Sequence, residues 1–283
     1  MIDIIHQQNG TVLHRVDSDS LCGADLSHYD LEGADLSGMD LSGANLQGAN
    51  LCDADLHDAD LQEANLIVAK LHGANLDGVA LDGARLGDGV RANGASLYRC
   101  SLREAEISAC DMRFVDLRMA DATGVTVSDC DLHGTRLDGA CLYEAIIGSS
   151  ELIHAELRGA DLRGARLCGV RLNGANLSEA RLDGAELGGE DCLPGVMNKA
   201  VLTGASLINT LLPGASLLNA DLSHAQLGWA DLSGAKLHGA TMRKAELTNT
   251  NLDGVDLTTV TMTFANLSAA QNVKLRYPKR GAR

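Results

Sequence analysis

The sequence predicts an all-β solenoid, on three observations. Leucine or another apolar residue returns every fifth position through almost the whole chain, as in Ala24-Asp25-Leu26, Ala34-Asp35-Leu36, Ala44-Asn45-Leu46 and Ala49-Asn50-Leu51. A period of five fits neither the helical 3.6 nor the strand period of two, so the chain turns at each repeat. Of the 31 glycines, 23 stand two positions after an apolar centre, where a tight turn that needs positive φ belongs. Aromatic residues are scarce, two Phe, one Trp and four Tyr in 283 residues, as suits a narrow interior filled by Leu and Ala.

The elements follow in chain order. Residues 1–15 read as a cap over the open, unpaired strand edge of the rod. Ile2, Ile4 and Ile5, then Asn9-Gly10, then Thr11, Val12 and Leu13 give a hairpin signal in which the Asn-Gly pair makes the turn. Residues 16–269 form a single array of phrases. One register runs from Leu21 to Leu86 and a second, displaced by one residue, from Leu97 to Leu267; with Ala92 as a bridge they make 50 phrases, 40 of them centred on Leu. The other centres, Ile107, Met112, Ala122, Val127, Ile147, Cys192, Met197, Met242 and Met262 besides Ala92, are all uncharged. Two positions before the centre stands Ala or another small residue, a second inward side chain. One position before it is often Asp or Asn, and the two positions after it face solvent at the turn, where Pro213-Gly214 fits as well.

The array is interrupted twice. One extra residue enters between Leu86 and Leu97, so residues 87–96 should hold a bulge or small outward loop. Gly87-x-Gly89-x-x-Ala92 imitates a dinucleotide fingerprint but lacks the strand–helix setting that motif requires. At residues 188–199, Glu190 falls on an inward slot and Pro194-Gly195 follows; the segment is either two imperfect phrases in register or a loop thrown out from the rod. Residues 270–283 read as a basic tail, with Lys274, Arg276, Lys279, Arg280 and Arg283 and no acidic residue.

In these phrases the chain resembles the pentapeptide-repeat family, whose signature is A(D/N)LXX, over roughly residues 16 to 269. The resemblance implies a right-handed quadrilateral β-helix with four phrases per coil, hence about twelve coils and a rod ~60 Å long at the ~4.8 Å spacing of stacked strands. Each coil then touches only its neighbours, which makes the chain one solenoid despite its length.

Composition narrows the chemistry. A net charge of −15 with pI near 4.9 argues against direct nucleic-acid binding through phosphates. No run of about eighteen apolar residues and no basic-then-apolar leader is seen, so a cytoplasmic protein without membrane contact is expected. Eight cysteines without CxxC or zinc-type spacing predict reduced thiols, with Cys100, Cys110 and Cys130 at small inward positions. His57, His72, His133 and His238 each follow a centre and should lie outside. No nucleophile elbow, phosphate loop, metalloprotease or calcium motif is present, and carboxylates spread over a convex rod do not make an acid–base cleft, so no catalysis, metal or cofactor is expected.

Charge patterning supplies the candidate surface. From Asp17 to Ala80 thirteen acidic residues face Lys70 alone, close to one charge per ~1.3 Å against one per ~1.7 Å in duplex DNA. Asp25, Asp30, Asp35, Asp40, Asp53, Asp55, Asp58 and Asp60 are the candidate partner surface. From Arg85 to Arg181 twelve arginines make the middle mixed in sign. Similar family members imitate DNA and bind DNA gyrase or topoisomerase IV, so the resemblance implies a type II topoisomerase as protein partner, with antibiotic or toxin protection. Those members carry Phe at the centre and dimerise through a C-terminal helix, whereas this chain has no Phe centre and a short basic end; monomer and end-to-end homodimer both stay open. The alternative is a generic interaction scaffold or bacterial effector that binds through outward apolar residues. Glu190, Leu193, Pro194 and Leu211 are its candidate contact, beside Val196, Val201, Ile208 and Leu218, with Tyr98, Phe114, Tyr143 and Trp229 also expected outside.

Overall fold

A computed structural model describes residues 1–273, and the basic residues from Lys274 onward lie outside the described part. The phrases meet their own kind every twenty residues: Asp25 bridges Asn45, Asp30 bridges Asn50, Asp35 bridges Asp55 and Asp40 bridges Asp60, all in parallel. Four phrases therefore complete one circuit, and the rod has four sides. The first side begins at Asp25, the second at Asp30, the third at Asp35 (then Asp55, Asn75, Ser96, Asp116 and Arg136) and the fourth at Asp40.

The five-residue phrase is explained by where its N–H groups go. In the phrase around Leu26, Leu26 donates to Asn45 O at 2.8 Å and His28 to Gln47 O at 2.8 Å, both in the following circuit. One circuit on, Asn45 donates back to Ala24 O at 2.9 Å, and Ala24 itself closes a turn on Leu21 O at 3.0 Å. Four of five donors are thus used by backbone. The fifth, on the residue after the centre, goes to the side chain two positions earlier: Ser27 N to Asp25 Oδ1 at 3.1 Å, Gln47 N to Asn45 Oδ1 at 3.2 Å and His57 N to Asp55 Oδ1 at 3.2 Å. An unpaired amide is costly, so Asp or Asn before the centre is part of the fold as well as of its charge. Where that position is Ser, an aspartate or asparagine of the preceding circuit substitutes, as when Asp77 accepts from Tyr98 N at 3.1 Å and Asn198 from Leu218 N at 3.0 Å.

Inside, the centre leucines and the small residues two positions before them are buried along one continuous core. A fully buried leucine contributes about 1.5–3 kcal/mol, most of which conformational ordering offsets. Four buried hydroxyls replace the inward alanine and each donates to a carbonyl, Thr135 to Met112 O at 3.0 Å, Ser150 to Gly148 O at 2.8 Å, Thr210 to Leu182 O and Thr250 to Leu227 O at 2.7 Å.

The N-terminal residues form a hairpin. β1 (Ile2–His6) pairs antiparallel with β2 (Val12–Val16), Ile2 opposite Val16, around a turn in which Gly10 has φ +67°. β1 also pairs antiparallel with β3 (Ala34–Asp35), so it covers the end of the third side, with Ile4 in the core. On the first side β4 (Arg85–Leu86), β5 (Glu106–Ser108), β6 (Thr126–Ser128) and β7 (Ile146–Gly148) form a parallel ribbon.

Both irregularities leave the rod between the first and second sides. At the first, the ladder spacing becomes 21 residues (Lys70 to Arg91), and Asp88 and Gly89 bulge outward while Val90 returns to the core. At the second it becomes 25 (Arg171 to Val196), so one phrase is extruded. Three expectations are corrected here. Cys192 is not a core centre, because Leu187 and Met197 are the successive centres; Glu190 is exposed rather than inward, because its phrase has left the coil; and Cys192 is not a free thiol, because the extruded turn lays it beside Cys168, to which it is disulfide-bonded.

Candidate protein-binding surface

The turns set what the rod shows to solvent. Two positions after each centre the backbone is almost always left-handed, whether or not the residue is glycine: Asp53 (φ 54°), Val68 (57°), Phe114 (59°), Met119 (61°) and Trp229 (61°) all occupy that slot. A side chain held there folds over the same slot one circuit later. A Cβ on Gly134 would lie 2.7 Å from the Phe114 ring, one on Gly139 2.7 Å from Met119 Sδ, and one on Gly174 2.6 Å from the His154 ring. Glycine therefore serves here as a footing for a side chain from the preceding circuit.

The eight candidate aspartates do not share one face. Asp25 lies on the first side and Asp30 on the second; Asp35 and Asp55 lie on the third, Asp40 and Asp60 on the fourth, with Asp53 and Asp58 at the corners bordering the third side. Asp25, Asp35, Asp40, Asp55 and Asp60 each accept the last N–H of their own phrase, and Asp30 accepts Asn50 Nδ2 at 2.8 Å. Hydrogen bonds from Ser27 hold Asp25 below the usual carboxylate range, and those from Ser42 do the same for Asp40. At Asp55 burial pushes upward, but the His57 ring, 2.9 Å away at Nδ1, wins and lowers it, while His57 is raised in turn by Asp55.

Asp53, Asp58 and Glu63 differ. They fill three successive turn slots of one circuit, and among the described residues their carboxylates have no hydrogen bond or ion pair. Each side chain extends over the glycine one circuit on, Gly73, Gly78 and Gly83. Their charge is surplus to what the backbone requires.

The loop candidates meet only in part. Glu190 and Leu211 line one shallow depression with Arg166 and Glu186; Leu193, 72% exposed, lies over Gly169, and Pro194 over Gly214. Val201 is on the third side, and Val196, Ile208 and Leu218 are half-buried on other sides or corners, so the expected apolar cluster is dispersed around the rod. Phe114, Tyr143 and Trp229 are exposed as expected, whereas Tyr98 is half-buried beneath Arg99 and Arg118 at 5.1 and 5.6 Å. Met119, exposed on the next corner after Phe114, does not stand out in the sequence pattern.

The central arginines are mostly paired: Arg103 with Asp82 at 2.6 Å, Arg113 with Asp111 at 2.8 Å, Arg118 with Asp116 at 2.6 Å and Arg163 with Asp161 at 2.6 Å. Cys100, Cys110 and Cys130 are buried; burial pushes the Cys100 thiol up, and the hydrogen bond with Cys130 together with burial does so at Cys110. Among the described residues no group of three or more His, Cys, Asp or Glu is placed to hold a metal, and no helix is long and apolar enough to cross a membrane.

The pentapeptide repeats family model matches residues 20–58, 53–88, 110–147, 150–189, 200–239 and 240–271, in eight copies. Among solved structures the chain is similar to HetL, a pentapeptide repeat protein involved in heterocyst differentiation regulation from the cyanobacterium Nostoc, at 31% identity over 74% of this chain and 90% of HetL, with a TM-score of 0.70. QnrB1, a plasmid-mediated fluoroquinolone resistance protein, matches at 19% identity over 87% of this chain and 88% of its own, with a TM-score of 0.27. A pentapeptide repeat protein from the thylakoid lumen of Arabidopsis thaliana matches at 27% identity over 42% and 70%, with a TM-score of 0.16. A search of curated proteins finds no match.

Proposed function

Because the chain belongs to the pentapeptide-repeat family, we propose that it acts as a non-catalytic protein-binding rod of about twelve right-handed coils, whose first coils imitate DNA toward a DNA-handling enzyme such as gyrase or another type II topoisomerase. The observation that carries this reading is the surplus charge of Asp53, Asp58 and Glu63, beside the backbone-bonded carboxylates of Asp35, Asp55, Asp40 and Asp60 on the two adjoining sides. Carboxylates on a stiff scaffold offer a regular anionic ladder to a basic groove at little ordering cost.

The test is a supercoiling assay of bacterial DNA gyrase with titrated protein, with and without a quinolone, at two salt concentrations. Salt-sensitive inhibition or drug protection is expected, lost in the Asp53→Asn, Asp58→Asn, Glu63→Gln triple variant. No effect at micromolar protein overturns the reading.

A second reading, a regulatory scaffold with a different protein partner, is favoured by the similarity to HetL, itself involved in differentiation regulation. It predicts weak salt dependence and sensitivity to Leu193→Asp or Leu211→Asp.

A further inference from the structure

The third side changes sign along its length, and it does so in register. With its two bordering corners, its first three rungs carry Glu32, Asp35, Asp53, Asp55, Asp58 and Asp77, and neither lysine nor arginine. The next three carry Arg99, Arg113, Arg118 and Arg136 against Asp116 and Asp138. Flanking the fifth rung, one on each corner, stand Phe114 and Met119, 62% and 54% exposed. Aromatic residues, Met and Arg are the types enriched where proteins meet.

A surface with this arrangement is complementary to itself. A two-fold axis that lies in the plane of the side, crosses the rod between Asn75 and Ser96, and turns one copy onto another reverses the order of the rungs but keeps each corner over the same corner. The first rung then faces the sixth, the second the fifth and the third the fourth. Asp35 comes opposite Arg136, Asp53 opposite Arg113, Asp58 opposite Arg118 and Asp77 opposite Arg99, each pair occurring twice. Within one copy Arg113 is already held by Asp111 at 2.8 Å and Arg118 and Arg136 by Asp116, so pairing across the axis shares those three guanidiniums between two carboxylates. Asp55 meets Asp116, whose charge is already shared by Arg118 at 2.6 Å and Arg136 at 3.2 Å. Phe114 and Met119 come to straddle the rung of Asp55. Six rungs about 4.8 Å apart span about 24 Å of rod.

We propose that two copies of this chain associate side by side and antiparallel through the third side, with its acidic rungs on the basic rungs of the other copy. This does not rest on the topoisomerase reading and competes with it for Asp35, Asp53, Asp55 and Asp58; only Asp40, Asp60 and Glu63 of that acidic surface stay open in the dimer.

The test uses the full chain alone, in sedimentation equilibrium at low and high salt. A dimer is expected whose Kd rises at least tenfold from about 50 to about 500 mM salt. Asp53→Arg puts two arginine pairs, and Arg113→Asp two carboxylate pairs, across the axis, so each variant alone should dimerise at least tenfold more weakly. Mixed one to one they should form a heterodimer, because both crossings are then opposite in sign. Unchanged far-ultraviolet circular dichroism, and urea midpoints unchanged at a concentration where wild type is monomeric, confirm that both variants are folded. A wild-type chain that stays monomeric at 100 μM, variants that dimerise as wild type does, or a mixture that stays monomeric overturns the proposal.

Discussion

Glycine in the turn slot has two roles, and one substitution pair separates them. Gly38 and Gly134 have the same left-handed backbone, φ +62° and +63°, yet a Cβ on Gly38 meets nothing within 4 Å, while one on Gly134 meets the Phe114 ring at 2.7 Å. Left-handed backbone costs a non-glycine residue roughly 1–2 kcal/mol, and lost freedom in the unfolded chain returns about 0.4–1 of it, so Gly38→Ala should cost about 1 kcal/mol. Gly134→Ala carries the same backbone cost and also pushes the ring off its rotamer, a further ~0.5–1.5 kcal/mol. Urea unfolding at constant m measures both, and Phe114→Ala supplies the double-mutant cycle: with the ring removed, Gly134→Ala should fall to the cost of Gly38→Ala. Equal costs for the two glycines, or an excess at Gly134 that survives Phe114→Ala, refutes the footing argument.

Reduction of the Cys168–Cys192 bond, which closes a separation of 24 residues, should release the extruded phrase and cost roughly 3 kcal/mol locally; limited proteolysis should then cut within residues 188–195 only in reduced protein, and equal cutting in both states would count against a latched loop. Ala122 lines an apolar cavity of about 30 Å³ with Leu117, Val127 and Ile147, so Ala122→Val should raise stability by about 0.5–1 kcal/mol in urea, and a loss would mean the space is too narrow for the added methyls. The lowered carboxyls of Asp25 and Asp40 contribute stability present above the unfolded value near ~3.9 and lost as pH falls through their folded values. The raised imidazole of His57 works in the opposite sense: its contribution is complete below about pH 6.5 and disappears as pH rises through its folded value, so His57→Ala should flatten the alkaline limb of the stability profile while leaving the acid limb.

The period of five, with glycine two positions after the centre, was enough to foresee the turns and the inward Leu and Ala columns. What was not legible depends on where the chain leaves the period. Cys168 and Cys192 are 24 residues apart, neither one circuit nor its multiple, and they meet only because a whole phrase is extruded. Leu193 to Leu218 look clustered in sequence, but every fifth residue turns a corner, so near neighbours along the chain face different ways. Asp25 and Asp53 look alike as acidic residues, yet Asp25 accepts a backbone N–H and Asp53 does not, a distinction set by position in the phrase.

That distinction decides which residues can carry specificity on such a rod. The centre and the small inward residue are committed to the core, and the Asx position is committed to the last unpaired amide, so changing any of them taxes the fold. The turn slot is different, because its left-handed backbone is already imposed by the coil and its side chain points to solvent with a glycine often beneath it. Here the chain places Asp53, Asp58, Glu63, Phe114, Met119 and Trp229 where glycine would be easier. Backbone strain accepted at exposed positions is a reason to look for a partner there. The slots repeat about every 4.8 Å along a corner, so a partner that reads them must match a linear spacing rather than a pocket.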